Sequence, residues 1–224
     1  MRKIASLFVA LLLLAGCSSV PLTGRKQVLL VSDQEVLSSS LTQYNDYIKT
    51  AKKSTNVNKS AMVTRVGKKI AAATEDYLRA NGMTDEVKNF SWEFNLVNDP
   101  QVNAFCMPGG KIVVYEGLLP LVSSDDELAA AAVQQAANTV YGVGAQYGVM
   151  LPFSRKHESE ADYMGLVFMT MAGYNPDVAV NFWQKMSAGK SGSTPEFMST
   201  HPSDATRIAE IQKVLPAIKT KYKK

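Results

Sequence analysis

Apolar positions recur along most of the chain with the spacing of amphipathic helices. From Ser32 to about Lys53, and again from Lys59 to about Asn81, apolar residues return every three or four positions. A capping box that starts at Ser32 opens the first helix, and Gly82 ends the second as a left-handed cap. Both apolar stripes are more typical of a protein core than of a binding surface.

The middle of the chain changes to the two-residue alternation of strands. Residues Phe90–Val97 place an apolar side chain at every second position, which predicts a strand with one buried face. Val102–Met107 and Lys111–Tyr115 predict two further strands, joined by a Pro-Gly-Gly reversal. The fold class predicted is α+β, a largely helical domain with a small antiparallel or mixed sheet. Four more helices are predicted, which begin at Asp125, near Ser154, at Asn175 and after Ser203.

The first sixteen residues have the pattern of a targeting segment. Arg2 and Lys3 precede the apolar run Ile4–Leu14, which is too short to span a membrane. The sequence Leu-Ala-Gly-Cys that ends at Cys17 resembles a bacterial lipoprotein signal, in which this cysteine is lipidated after cleavage. The alternative is an ordinary secretory peptide. We therefore expect a lipid-anchored protein of the bacterial cell envelope, at the periplasmic face of the outer membrane.

This signal divides the chain into a signal peptide (1–16), a tether (17–31) and one domain (32–224). The formal net charge of +4 is weak and dispersed, and no basic motif accompanies it, so a nucleic-acid partner is not expected. With Cys17 modified, Cys106 would be the single remaining cysteine, so we expect no internal disulfide. The sequence does not indicate an oligomeric state.

Two carboxylates lie one helical turn apart in the helix predicted from Ser154. Glu158 and Asp162 share a face that is otherwise small and apolar. One interpretation is a metal ligand and the group that supports it. The other is an exposed helix start, where acidic residues favour the helix dipole. Spacing alone leaves both open.

The segment Arg-Lys-His-Glu-Ser-Glu-Ala-Asp-Tyr-Met-Gly, residues 155–165, resembles the E-x-E-A-D helix of zinc metallopeptidases related to the CAAX prenyl protease and HtpX. The resemblance implies a zinc cofactor, with Glu158 as a metal ligand and Asp162 supporting the site. It also implies a gluzincin-like helical domain whose small sheet lies beside the active-site cleft.

Two further segments resemble the same family. Asn103, Ala104 and Phe105 begin a segment similar to N-A-F-x-x-P-G-G-x-I, in which an edge strand can pair with an extended peptide substrate. His201 and Arg207 match the motif T-H-P-x-x-x-x-R. By resemblance, His201 would help stabilise the oxyanion of the tetrahedral intermediate, and Arg207 would fix the surrounding carboxylates.

The zinc-binding motif H-E-x-x-H of this family is missing. The chain has two histidines, His157 and His201, and neither has a second histidine four positions away. The segment Asp-Asp-Glu-Leu-Ala, which precedes that motif in the family, runs instead into a stretch of alanines. We therefore expect an internal deletion near residues 129–135, which removes the active-site helix with both histidines and the general base.

Two hypotheses about function follow. The first is the zinc-dependent endoproteolysis of the family, directed at unfolded or misfolded envelope polypeptides and impaired by the missing motif. The second is a lipid-anchored pseudoprotease that acts as a peptide-binding or chaperone-like protein. The sequence leaves open whether this chain is an enzyme.

Overall fold

The computed structural model describes residues 17–19, 26–28, 33–142, 155–188 and 204–223. Their secondary structure is mostly helical, and the α+β class predicted from the sequence is confirmed. The seven helices are α1 (Asp33–Thr50), α2 (Val57–Ala80), α3 (Thr84–Val87), α4 (Asp125–Gly142), α5 (Arg155–Met171), α6 (Val178–Ala188) and α7 (Asp204–Tyr222). The five strands are β1 (Cys17–Ser19), β2 (Lys26–Val28), β3 (Glu93–Val97), β4 (Ala104–Met107) and β5 (Lys111–Tyr115).

The main sheet has three strands in the order β3-β5-β4. β5 pairs in parallel with β3 and antiparallel with β4, so the sheet is mixed. The turn between β4 and β5 is made by Gly109 and Gly110, which both have positive φ values that side chains disfavour. β4 is therefore an edge strand of the sheet that the structure describes.

The two faces of this sheet are covered by different helices. On one face, Tyr44 of α1 packs against Val97 and Val113. On the other face, Ile112 and Val114 join the large core formed with the remaining long helices. β4 contacts α4 from this side. The sheet thus lies between α1 and the helical body.

The helical body is built around α4. Every residue from Leu128 to Val133 is buried, so this helix is surrounded on all sides over that stretch. α4 packs along α5 and also contacts α2 and α6, while α7 packs against α5 and α6. The residues in this stretch are Leu, Val and four Ala, and the small alanines allow the neighbouring helices to approach closely.

The structure agrees with most predicted element boundaries within a few residues. α2 begins after Asn56, whose side chain caps the amide of Lys59, and Gly82 follows the helix with φ +77°. Lys219 lies in the last turn of α7 and forms an ion pair with Asp177. The segment predicted as a tether contains the short paired strands β1 and β2. Among the described residues, no helix is both long and apolar enough to cross a membrane.

Candidate functional site

The strand segment predicted to meet a peptide lies at the edge of the sheet. Asn103 precedes β4, and its carbonyl accepts a hydrogen bond from the amide of Tyr115. Because hydrogen-bonded pairs alternate in an antiparallel ladder, Phe105 is also turned toward β5. The backbone groups of Ala104 and Cys106 consequently point away from β5. In the described sheet, no further strand lies beyond β4.

Side chains of β4 alternate between the two faces of the sheet. Ala104 and Cys106 are buried toward the helical body. Phe105 lies on the α1 side, where it makes edge-on ring contacts with Tyr47 at 5.4 Å and Tyr115 at 6.1 Å. The hydroxyl of Tyr47 donates to that of Tyr115, and burial raises the pKa of Tyr47 above its usual value. Half-buried aromatic rings therefore flank the edge strand on this side.

The structure brings together Asp162 of α5 and Arg207 of α7. The guanidinium group donates from Nε to Oδ2 at 2.7 Å and from Nη2 to Oδ1 at 2.6 Å. The exposed fractions of the two side chains are only 10% and 3%. The resemblance implied that Arg207 fixes a carboxylate, and Asp162 is the carboxylate that it contacts.

Trp183 of α6 lies against this ion pair. The guanidinium carbon of Arg207 is 4.0 Å from the centre of the Trp183 ring. The spacing of apolar residues explains why Trp183 is buried, but it carries no signal that an arginine from another helix stacks on it. α5, α6 and α7 therefore meet at one cation.

The remaining predicted site residues are less completely described. Glu158 lies in α5, one turn before Asp162, and its side chain is outside the described part of the structure. His201 lies outside the described residues. Cys17 begins β1, with only its backbone described. The roles predicted for these three residues stay predictions.

The start of α4 is fixed by a buried carboxylate. Glu127 accepts hydrogen bonds from the amide and the hydroxyl of Ser123, and it forms a 2.6 Å ion pair with Lys185 of α6. Burial opposes the ionisation of Glu127, but the bonds from Lys185 and Ser123 outweigh it and lower the pKa. The apolar stretch of residues 128–133 follows Glu127 directly, and it lies where the family has its H-E-x-x-H motif.

The residues present do not fit a catalytic zinc site. Such a site uses three protein ligands, and the family supplies two of them from histidines four positions apart. The described residues contain no group of three His, Cys, Asp or Glu side chains that could hold a metal ion. Both oxygens of Asp162 accept hydrogen bonds from Arg207, and residues 128–133 of α4 offer no ligand atoms in their side chains.

Comparison with known families gives the origin of this fold. A family model described as "Peptidase family M48" matches residues 63–132 and 131–215. Together the two matches cover more than half of the chain. The chain belongs to peptidase family M48. This is a family of zinc-dependent metallopeptidases, so the predicted metallopeptidase relationship is confirmed at that level.

Several characterised relatives are similar to this M48 chain. The mitochondrial metalloendopeptidase OMA1 of Schizosaccharomyces pombe is 35% identical, over 71% of this chain and 54% of its own length. OMA1 of Saccharomyces cerevisiae is 31% identical, over 66% and 53%. The β-barrel assembly-enhancing protease of Escherichia coli is 24% identical, over 53% and 33%. The chain spans about half the length, or less, of the relatives that it matches.

The comparisons correct the predicted location. We expected a bacterial envelope protein from the first seventeen residues, but the relatives at 31% to 35% identity are named as mitochondrial proteins. The prediction of a bacterial outer-membrane location is therefore wrong. The short charged and apolar leader was a weak guide to this location. Such a segment indicates that a chain is targeted, but it does not identify the family of the domain that follows it.

Proposed function

We propose that this M48 chain binds extended segments of unfolded polypeptides along β4 and does not hydrolyse them. The observation that carries the proposal is the donor set of the whole sequence. Two histidines that are 44 positions apart cannot supply H-E-x-x-H. The chain therefore lacks the histidine pair that would bind the metal ion with its water, and it lacks the glutamate that would act as general base.

The way in which the family matches supports an internal deletion. The two matched segments meet at residues 131–132, inside the stretch where the sequence indicates the gap. The alignment with the S. pombe relative is 192 positions long, although 71% of the 224 residues is only about 159. At least about 33 positions of that alignment therefore have no residue of this chain. A loss of this size is sufficient to remove the helix that carries the motif.

The edge strand keeps what peptide binding requires. An extended peptide can pair with the outward amide and carbonyl groups of Ala104. Main-chain hydrogen bonds of this kind give affinity that does not depend on the peptide's sequence. Side chains of the bound peptide on the α1 side would contact the cluster of rings formed by Phe105, Tyr47 and Tyr115. Neither feature depends on a metal ion.

The proposal is tested with the full chain and a fluorescein-labelled polypeptide that is reduced and carboxymethylated, and therefore unfolded. Fluorescence anisotropy should show saturable binding, and gel electrophoresis in the presence of zinc should show no cleavage. Zinc-dependent cleavage that purifies with the chain would instead support the family's endopeptidase activity. Absence of binding would refute the proposal.

A matched pair of variants tests the strand edge. Ala104→Pro removes one outward amide and leaves the β5 ladder intact, so affinity should fall at least about tenfold. Ala104→Ser keeps that amide and should bind like the parent. Equal binding by both variants would show that the peptide uses another surface.

A further inference from the structure

One compact pair of opposite charges is buried where α5 meets α7. Asp162 and Arg207 lie on different helices and are almost fully removed from solvent. A buried carboxylate requires a nearby cation, because the cost of removing it from water is several kcal/mol. The bidentate guanidinium supplies that cation together with two short hydrogen bonds.

The position of Arg207 is itself fixed by packing. One face of its guanidinium group stacks on Trp183 at 4.0 Å, and the plane of the group is directed at Asp162. An arginine held between a carboxylate and an aromatic ring has little freedom to turn away from either. A metal ion that replaced it at Asp162 would have to displace a buried, stacked side chain.

The surrounding donor atoms also disfavour a metal ion. α4 packs along α5, and the side chains of residues 128–133 of α4 are all buried and apolar. Glu158 is the single ligand that the family resemblance assigns to this part of the chain, and a catalytic zinc takes three from the protein.

We infer that Arg207, and not a metal ion, is the cation of this buried site, and that the domain folds without metal. This departs from the zinc dependence of the M48 family. It concerns the stability of the fold and is separate from peptide binding at β4, so either proposal can fail while the other stands.

The experiment measures zinc content and thermal unfolding of the full chain. After dialysis without chelator, elemental analysis should find less than about 0.1 zinc per chain. Excess EDTA or excess zinc should then shift the melting temperature by less than about 1 °C. A site occupied at a hundredfold excess over its Kd would add about 2.7 kcal/mol, which is a shift of several degrees.

Glu158→Gln provides the control for the residue that resemblance assigns to zinc. We expect the variant to match the parent in zinc content and in its response to EDTA. One zinc per chain in the parent, lost in Glu158→Gln, would overturn the inference. A melting temperature that falls in EDTA and returns with zinc would also overturn it, whatever the result of the peptide-binding assay.

Discussion

Replacing Arg207 by Met tests how strongly the buried ion pair holds the helical body together. The change removes the guanidinium group but keeps most of the apolar stem, and it leaves the carboxylate of Asp162 only 10% exposed without its two hydrogen bonds. Breaking one partner of a buried pair costs about 3–5 kcal/mol. Loss of the stacking on Trp183 adds about 1 kcal/mol more.

The exposed pair between Arg65 and Asp125 is a matched control. It is also bidentate, with hydrogen bonds of 2.8 and 2.7 Å, but its side chains are 53% and 33% exposed. Because water screens this pair, Arg65→Met should lower the free energy of unfolding much less than Arg207→Met does. The comparison separates burial from hydrogen-bond geometry.

A double-mutant cycle completes the test. Asp162→Leu alone removes the carboxylate that accepts from the buried arginine and should also cost about 3–5 kcal/mol. The double variant carries neither charge of this pair and should lose less than either single change. Urea unfolding followed by circular dichroism gives the free energies, with an unchanged denaturant slope as the check on two-state behaviour. If Arg207→Met costs no more than Arg65→Met, or if the two changes simply add, the reasoning about this pair is wrong.

Two further predictions concern the sheet. Gly67→Ala should lower the free energy of unfolding by about 1–3 kcal/mol, because its Cβ would lie 2.1 Å from Cδ1 of Phe94. Gly82→Ala, where nothing lies within 4 Å of the Cβ, is the control for backbone strain at positive φ, and urea unfolding should rank it as the milder change. The hydrogen bond from Lys111 lowers the pKa of Glu93. The contribution of this ionised carboxylate to the free energy of unfolding is therefore fully present above the usual pKa of 4.5, and it is lost as the pH falls through the lowered pKa. Glu93→Gln should therefore cost about 1 kcal/mol at neutral pH, since Glu93 is half exposed, and much less at a pH well below the lowered pKa. An equal cost at both pH values would contradict this.

The sequence predicts local structure well where the signal itself is local. The strand Lys111–Tyr115 has the predicted bounds, and the left-handed cap at Gly82 is present. Alternation along Phe90–Val97 locates β3, although the strand itself begins at Glu93. These features depend on the spacing of apolar side chains and on backbone sterics over a few residues, and both follow from the local sequence.

Contacts between distant segments could not be predicted in the same way. β3 pairs in parallel with β5, and Arg207 stacks on Trp183. Both contacts depend on how distant elements are arranged in space, and the spacing of apolar residues does not predict that arrangement. A run of lysines such as the one that ends this chain is usually solvated, yet Lys219 lies in α7 and pairs with Asp177. For the site, the family resemblance paired Arg207 with carboxylates, and only the structure identifies Asp162 as its partner.

The two proposals depend on opposite sides of one junction. The family matches meet at residues 131–132, in the middle of α4, and the helix runs through that point without a break. If a deletion joined the two parts there, the alanines on either side explain why it is tolerated, since they maintain helix and fit between neighbours without strain. The edge strand lies before the junction, whereas Glu158 and Asp162 lie after it. Family catalysis needs ligands from the missing segment and from the part after it, but pairing with a peptide needs β4 alone. A chain changed in this way would lose hydrolysis first and retain the capacity to bind.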